Sequence, residues 1–302
     1  MNKKLKNLIL SPFNILYKLN PQADIKLLFR IKCRNKLNLS DPQTYNEKLN
    51  WLKLFYRNEL MPLCADKFSA RKYIEDCGYG DKLPALYWHG FSAEEIPFDS
   101  LPDSFVIKST SGSGNNIIVH NKSELDIAAT KKKVRKWLKE KYLIAYGEWH
   151  YQQIKPSIVI EELLSDGKNF VPADYKFFCF NNCNEGHGSV GCIAVDLNRY
   201  SGHKRLIFDS DWKYLSTVDF GFTNQSDEVP AKPEMYDEMC AVASKLAAPF
   251  PTCRIDFFVL NDKFYIGEIT FFNGAGFDII SPHDYNLKLG SWITLPKKQG
   301  TV

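Results

Sequence analysis

Residues 105–119 read FVIKSTSGSGNNIIV. A strand runs into Lys108, a loop of small residues follows with Gly112 and Gly114, and a second strand begins near Ile117. A hairpin tip without side-chain bulk lets backbone N–H groups approach an anion, and a lysine at its base adds a full positive charge. Such a loop also serves as a plain turn. The residues that favour a phosphate clamp lie far downstream, at Arg254, Asp256 and Glu268.

Those three fall in CRIDFFVL and KFYIGEIT, two strand-like runs joined by the hairpin turn Asn261-Asp262. Asp256 and Glu268 sit among apolar neighbours on adjacent strands, and burying two like charges side by side is costly unless cations neutralise them. A magnesium ion completed by phosphate and water suits this donor set. Arg254, on the strand face of Asp256, pairs with the carboxylates or with a phosphate. A structural salt bridge among the three is the alternative.

Working outward, SDPQTYNEKL places Thr44 and Glu47 at capping-box spacing, with Leu49, Leu52, Phe55 and Tyr56 as the apolar stripe of a helix. ADKFSARKYIEDCG is a second helix ending at Gly78, and KLPALYWHG gives a short strand. Residues 121–142 form a helix capped by Ser123, with Ile127, Val134, Trp137 and Leu138 on one face. Its lysines, Lys131 to Lys141, form a solvated basic face. SIVIEELL, residues 157–164, is an apolar strand carrying Glu161 and Glu162 at a cleft or strand end. DYKFFCF, VGCIAVDL and HKRLIFD are further strands, and PEMYDEMCAVASKLA is an amphipathic helix. Helices, a strand-rich half, another helix and an antiparallel pair make an α+β fold, not a doubly wound sheet.

The bulk numbers exclude several classes. With 302 residues and 44% hydrophobic content the chain buries a substantial core, and its net charge of +4 does not indicate bulk nucleic-acid binding. Eight cysteines lie mostly inside apolar segments, which suggests reduced thiols in the cytosol. Cys179, Cys183, His187 and Cys192 lack the spacing of a zinc knuckle. No stretch approaches a membrane span. The basic N-terminus, MNKKLKNLILSPFNILYKLN, has too short an apolar run for a signal peptide. It reads as a helix packed on the body, with peripheral attachment to an anionic membrane at the inner face as the alternative.

A lysine-and-glycine hairpin, a strand with a glutamate pair and a late carboxylate hairpin, in that order, resemble the ATP-grasp superfamily. The resemblance is to its TupA-like branch, from teichuronopeptide and surface-polysaccharide biosynthesis. It runs from about Asp41 to Gly290, through DPQTYNEKLNWLK, ADKFSARKYI, SFVIKSTSGSGNNIIV, VIEELL, DYKFFCF and RIDFFVLNDKFYIGEITFFNGAGF. The resemblance implies a helical N-terminal region over 1–65, a lid subdomain with the glycine-rich loop over 66–160, and a C-terminal subdomain with the metal site over 161–302.

It also implies roles. Lys67 and Lys108 would contact ATP phosphates, and the loop of Ser111, Gly112, Ser113, Gly114 and Asn115 would close on them. Glu161 and Glu162 would meet adenine, Asp174 and Lys176 the ribose side, and Asp256 and Glu268 would hold Mg²⁺. Thr270 joins that metal set at a position where members commonly carry Asn. Branch relatives often have His near Ser111. The short stretch before Asp66 implies an acceptor bound differently from that of D-alanine–D-alanine ligase.

The implied activity is an ADP-forming carboxylate–amine ligation through an acyl phosphate, joining an amino acid to an acidic sugar of a surface polysaccharide. Arg254 would neutralise the transferred phosphoryl group. Arg205, clustered with Arg199, His203 and Lys204, would stabilise the acyl phosphate or grip the sugar, although an exposed hairpin loop explains that cluster equally. A glycosyltransferase or sugar phosphotransferase of the same pathway is the alternative, its only candidate DxD motif being Asp209-Ser210-Asp211. A non-catalytic nucleotide-binding partner is a third reading, which the presence of Lys67, Lys108, Asp256 and Glu268 argues against.

Overall fold

The computed structural model describes residues 3–112, 114–140, 142–165, 172–183, 187–197, 203–221, 226, 228–260 and 262–299. Ser113, Lys141, Arg199 and Asn261 therefore lie outside the described residues. Five helices come first: α1 (Lys3–Leu19), α2 (Pro21–Cys33), α3 (Tyr45–Phe55), α4 (Leu60–Ala65) and α5 (Ser69–Asp76). The capping box at α3 forms as expected. Thr44 Oγ1 accepts from the Glu47 N–H at 3.2 Å, and Glu47 Oε2 accepts from the Thr44 N–H at 3.0 Å. Gly78, at φ +93°, follows the end of α5 in a backbone region that side chains avoid.

The first sheet comprises β1 (Leu86–Gly90), β2 (Phe105–Ser109), β3 (Asn116–Val119) and β4 (Ile158–Glu161), in the order β1-β4-β2-β3, all antiparallel. β4 pairs on both edges and is wholly buried, which accounts for its run of β-branched residues. Its pairing stops at Glu161, so the expected strand is cut short there. α6 (Ile127–Leu138) covers the sheet with Val134 and Trp137. It starts later than the sequence suggests, because Asn121 accepts the Ser123 N–H at 3.0 Å and draws that segment into a short 3-10 turn. Asp126, not Ser123, caps the helix by accepting the Ala129 N–H at 2.8 Å, and Ile127 is exposed.

The second sheet comprises β5 (Asp174–Phe180), β6 (Val190–Leu197), β7 (Lys204–Asp209), β8 (Thr252–Leu260) and β9 (Lys263–Thr270), in the order β7-β6-β5-β8-β9. α7 (Tyr236–Ala247) packs on one face, where Phe177 meets Tyr236 at 5.7 Å between ring centroids. The two-residue period of β5 then sends Asp174, Lys176 and Phe178 to the opposite face. α8 (His283–Ser291) returns to α3.

Side chains of α1, α2 and α3 belong to the same apolar core as the second sheet, while the first sheet and α6 have a smaller core of their own. No helix among the described residues is long and apolar enough to cross a membrane. Two charges are sealed inside the larger core. Lys53 donates to the Tyr146 and Ala275 carbonyls at 2.8 and 2.6 Å and lies 4.1 Å from the Phe277 ring centroid, and burial lowers its ammonium to about 7. Asp24 is fully buried with neither carboxylate oxygen hydrogen-bonded, and burial raises it from 3.8 to about 7 against the opposing charge of Lys53.

A raised carboxyl contributes stability that is complete below pH 3.8 and lost as pH rises through about 7. Thermal melts from pH 4 to 7 should therefore show wild type losing stability relative to Asp24→Asn across that window. Parallel curves would show that burial does not raise the Asp24 carboxyl in the folded state.

Candidate active site

The hairpin of β2 and β3 holds its cations in fixed places. Lys67 Nζ donates to the Gly112 carbonyl at 2.8 Å, and the Lys67 N–H donates to the Thr110 carbonyl at 3.0 Å, so a residue two before α5 clamps the loop. Gly112 and Gly114 have φ of +73° and +80°, conformations that explain glycine at both positions of the turn that also contains Ser111. Lys108 Nζ donates to Glu161 Oε2 at 2.8 Å, and Arg71 Nη1 donates to Glu161 Oε1 at 2.8 Å. Glu161 is thus a buried carboxylate shared by two cations.

The glutamate pair, expected beside adenine, has protein partners in this structure. The Glu161 carboxylate is bound to Lys108 and Arg71. The Glu162 N–H donates to the Ala85 carbonyl at 2.9 Å, and its carboxylate accepts from the Ala85 N–H at 3.3 Å. Arg71 is a residue the sequence reading passed over. Nothing in its local sequence marks it, since its partner Glu161 lies 90 residues away.

On the second sheet, cross-strand register collects the downstream residues into rows. Asp256 stands opposite Glu268 on β9 and opposite Lys176 on β5. Arg254 stands opposite Thr270, and Asp174 opposite Asp196, which in turn faces Arg205. Arg254 grips Asp256 with two bonds, Nε to Oδ1 at 2.6 Å and Nη2 to Oδ2 at 2.8 Å, and donates to Thr270 Oγ1 at 3.2 Å and to Asn273 Oδ1. Lys176 Nζ donates to Asp256 Oδ2 at 2.9 Å and to Asp174, and lies 3.6 Å from Asp196.

One proposed position changes character. Arg205 is in β7, buried, and bound through two nitrogens to Asp196 at 2.6 and 2.9 Å, so it does not belong to an exposed hairpin loop. Thr270 Oγ1 accepts from Arg254 at 3.2 Å and keeps a second lone pair and its own O–H. Asp196 and Asn273 were missed. The alternation of Cys192, Ala194 and Asp196 places the first on the charged face, whereas Asn273 lies in a turn with no period to betray it.

The electrostatics follow from these pairings. Burial pushes the Asp256 carboxyl up, but Arg254 and Lys176 outweigh it and hold the group below its usual range. Burial acts likewise on Asp196, where Arg205 and Lys176 prevail and lower it strongly. Arg254 is disfavoured by burial and raised on balance by Asp256, Glu268 and Asp174. Arg254 and Lys176 therefore neutralise Asp256, the member of the carboxylate pair that they touch.

The donor set still fits a divalent cation. Asp256 uses three contacts of the roughly four lone-pair directions a carboxylate offers. Glu268, half-buried in the opposite register position, makes no hydrogen bond or ion pair among the described residues. Asp256 and Glu268 would hold the ion, with phosphate and water completing its shell.

The two halves meet in one cleft, lined by Lys67, Arg71, Lys108 and Glu161 from the first half and by Gly267 and Glu268 from β9. Its free volume is about 20 Å³, room for roughly one water.

No curated protein matches the sequence. Among solved structures, the chain is similar to D-alanine–D-alanine ligase from Bacillus anthracis complexed with ATP, at 15% identity and a TM-score of 0.39, covering 74% of this chain and 55% of that one. It is similar to an L-amino acid ligase from Bacillus licheniformis at 14% identity and a TM-score of 0.44, covering 70% and 44%. N5-carboxyaminoimidazole synthase from Aspergillus clavatus, in complex with ADP and 5-aminoimidazole ribonucleotide, gives 14% identity and a TM-score of 0.42, covering 70% and 46%. The chain thus spans about half the length of these proteins. Likenesses this remote transfer neither a substrate nor the role of a residue. The model of the TupA-like ATP-grasp family matches residues 47–294, most of the chain and both sheets, and the chain belongs to that family.

Proposed function

We propose that the protein is an ATP-dependent, ADP-forming carboxylate–amine ligase that joins an amino acid to a uronic acid of a bacterial surface polysaccharide. The observation that supports the ATP-dependent half is the shared cleft, in which Lys67 and Lys108 face Glu268. Two cations suited to phosphate thus line the same cleft as a carboxylate suited to a phosphate-bound metal. The polysaccharide substrate rests on the family resemblance alone.

In this reading the substrate carboxylate attacks the γ-phosphate of ATP, giving an acyl phosphate and ADP. The amine then attacks the acyl carbon and releases phosphate. A divalent cation bound by Asp256 and Glu268 would neutralise charge on the transferred group. Lys108 can turn from Glu161 to a phosphate without stranding a buried charge, because Arg71 remains on that carboxylate. Arg254 supplies a fixed positive charge, its orientation set by Asp256, Thr270 and Asn273.

The glycosyltransferase alternative gains nothing from its candidate motif. Asp209 Oδ1 accepts from the N–H groups of Asp211 and Lys213 at 3.0 and 2.8 Å, as in a turn that closes on its own backbone.

With Mg²⁺, amino acids and uronic-acid acceptors, the protein should convert ATP to ADP and phosphate. Release of AMP, or turnover of a nucleotide sugar without ATP, would sink the proposal. Lys108→Ala should raise KM for ATP by about 10- to 100-fold, the worth of a charge-assisted contact. An unchanged KM would remove Lys108 from the phosphate site.

A further inference from the structure

α1 is apolar on two opposite sides. Leu10 and Tyr17 are buried and Phe13 half-buried against the body. Half a turn around the helix, Leu8, Pro12, Ile15 and Leu19 follow one another at i, i+4, i+7 and i+11, and all are exposed. The exposure is large, 72% for Leu8, 58% for Ile15 and 79% for Leu19. A helix that only packs on a globular body presents a polar outer face. α2 adds exposed Leu27 and Ile31, one turn apart.

Charge is concentrated in the same place. The first 40 residues carry nine lysines and arginines against one acid, whereas the remainder of the chain carries 30 against 34. That one acid, Asp24, is buried. Lys18 flanks the α1 stripe, and Lys26, Arg30, Lys32, Arg34 and Lys36 are exposed on α2 and just beyond it.

We propose that the hairpin of α1 and α2 docks on an anionic lipid surface, its apolar stripe at the headgroup boundary and its cations on lipid phosphates. A bilayer supplies both the apolar depth and the negative charge this face lacks. A second copy of the chain would set two strongly cationic faces against each other. The proposal is independent of the ligase reading, and each survives failure of the other.

Vesicle co-sedimentation of the full chain tests it. The protein should partition onto vesicles of equimolar phosphatidylglycerol and phosphatidylcholine, much less onto phosphatidylcholine alone, and less as salt is raised. Ile15→Asp combined with Leu19→Asp should weaken partitioning by at least about tenfold, and Lys26→Glu or Arg30→Glu by about fivefold or more each. Both sets are exposed, so an unchanged melting temperature is the control for folding. Failure to bind phosphatidylglycerol vesicles, or binding that survives the paired aspartates, overturns the proposal. Self-association abolished by those aspartates, without vesicle binding, would assign the face to a second copy and also overturn it.

Discussion

Replacing Glu268 with glutamine should reduce ADP release by about a hundredfold to a thousandfold or more, the scale seen when one element of transition-state charge stabilisation is removed. The substitution keeps size and shape and removes the charge of a carboxylate that has no hydrogen-bond partner among the described residues. No buried cation loses a direct partner, so stability should stay within about 1 kcal/mol of wild type. Coupled assay of ADP together with a thermal melt reads both effects. Full turnover in Glu268→Gln would show that this side chain holds no catalytic metal.

Asp256→Asn should behave differently although its neighbour across the strand pair is Glu268. The Asp256 carboxylate answers two cations, Arg254 and Lys176, inside a sheet where it is only 4% exposed. A neutral amide would leave both short of countercharge, and breaking a buried ion pair from one side costs about 3–5 kcal/mol. For a chain of this size that corresponds to a melting temperature lowered on the order of 10 °C. Denaturant or thermal unfolding decides the matter. If Asp256→Asn melted like Glu268→Gln, the triad of Arg254, Asp256 and Lys176 would not be the fold-stabilising group that its distances indicate. The pair of variants separates loss of chemistry from loss of structure at adjacent positions.

The parts legible in sequence were those with a short period or a local signature. Thr44 and Glu47 announced their capping box, and Asp256 and Glu268 could be placed on one hairpin because each strand alternates around its turn. Arg71, Asp196 and Asn273 escaped because their partners, Glu161, Arg205 and Arg254, are distant in sequence or reached through a turn without periodicity. Lys176, expected with Asp174 on the ribose side, balances the acids Asp174 and Asp256 of its own sheet. Sequence reveals which residues carry charge. Which charges answer one another depends on strand order, since β5 lies between β6 and β8 only in the folded sheet.

Lys53 has a consequence for anyone dissecting this chain into smaller pieces. Its ammonium grips the carbonyl of Ala275, in the same tight turn whose Asn273 side chain receives Arg254. A fragment begun at Asp66, just before Lys67, would lose that grip along with α3. The turn behind the arginine would be left without its anchor, so a minimal functional unit has to begin upstream of α3.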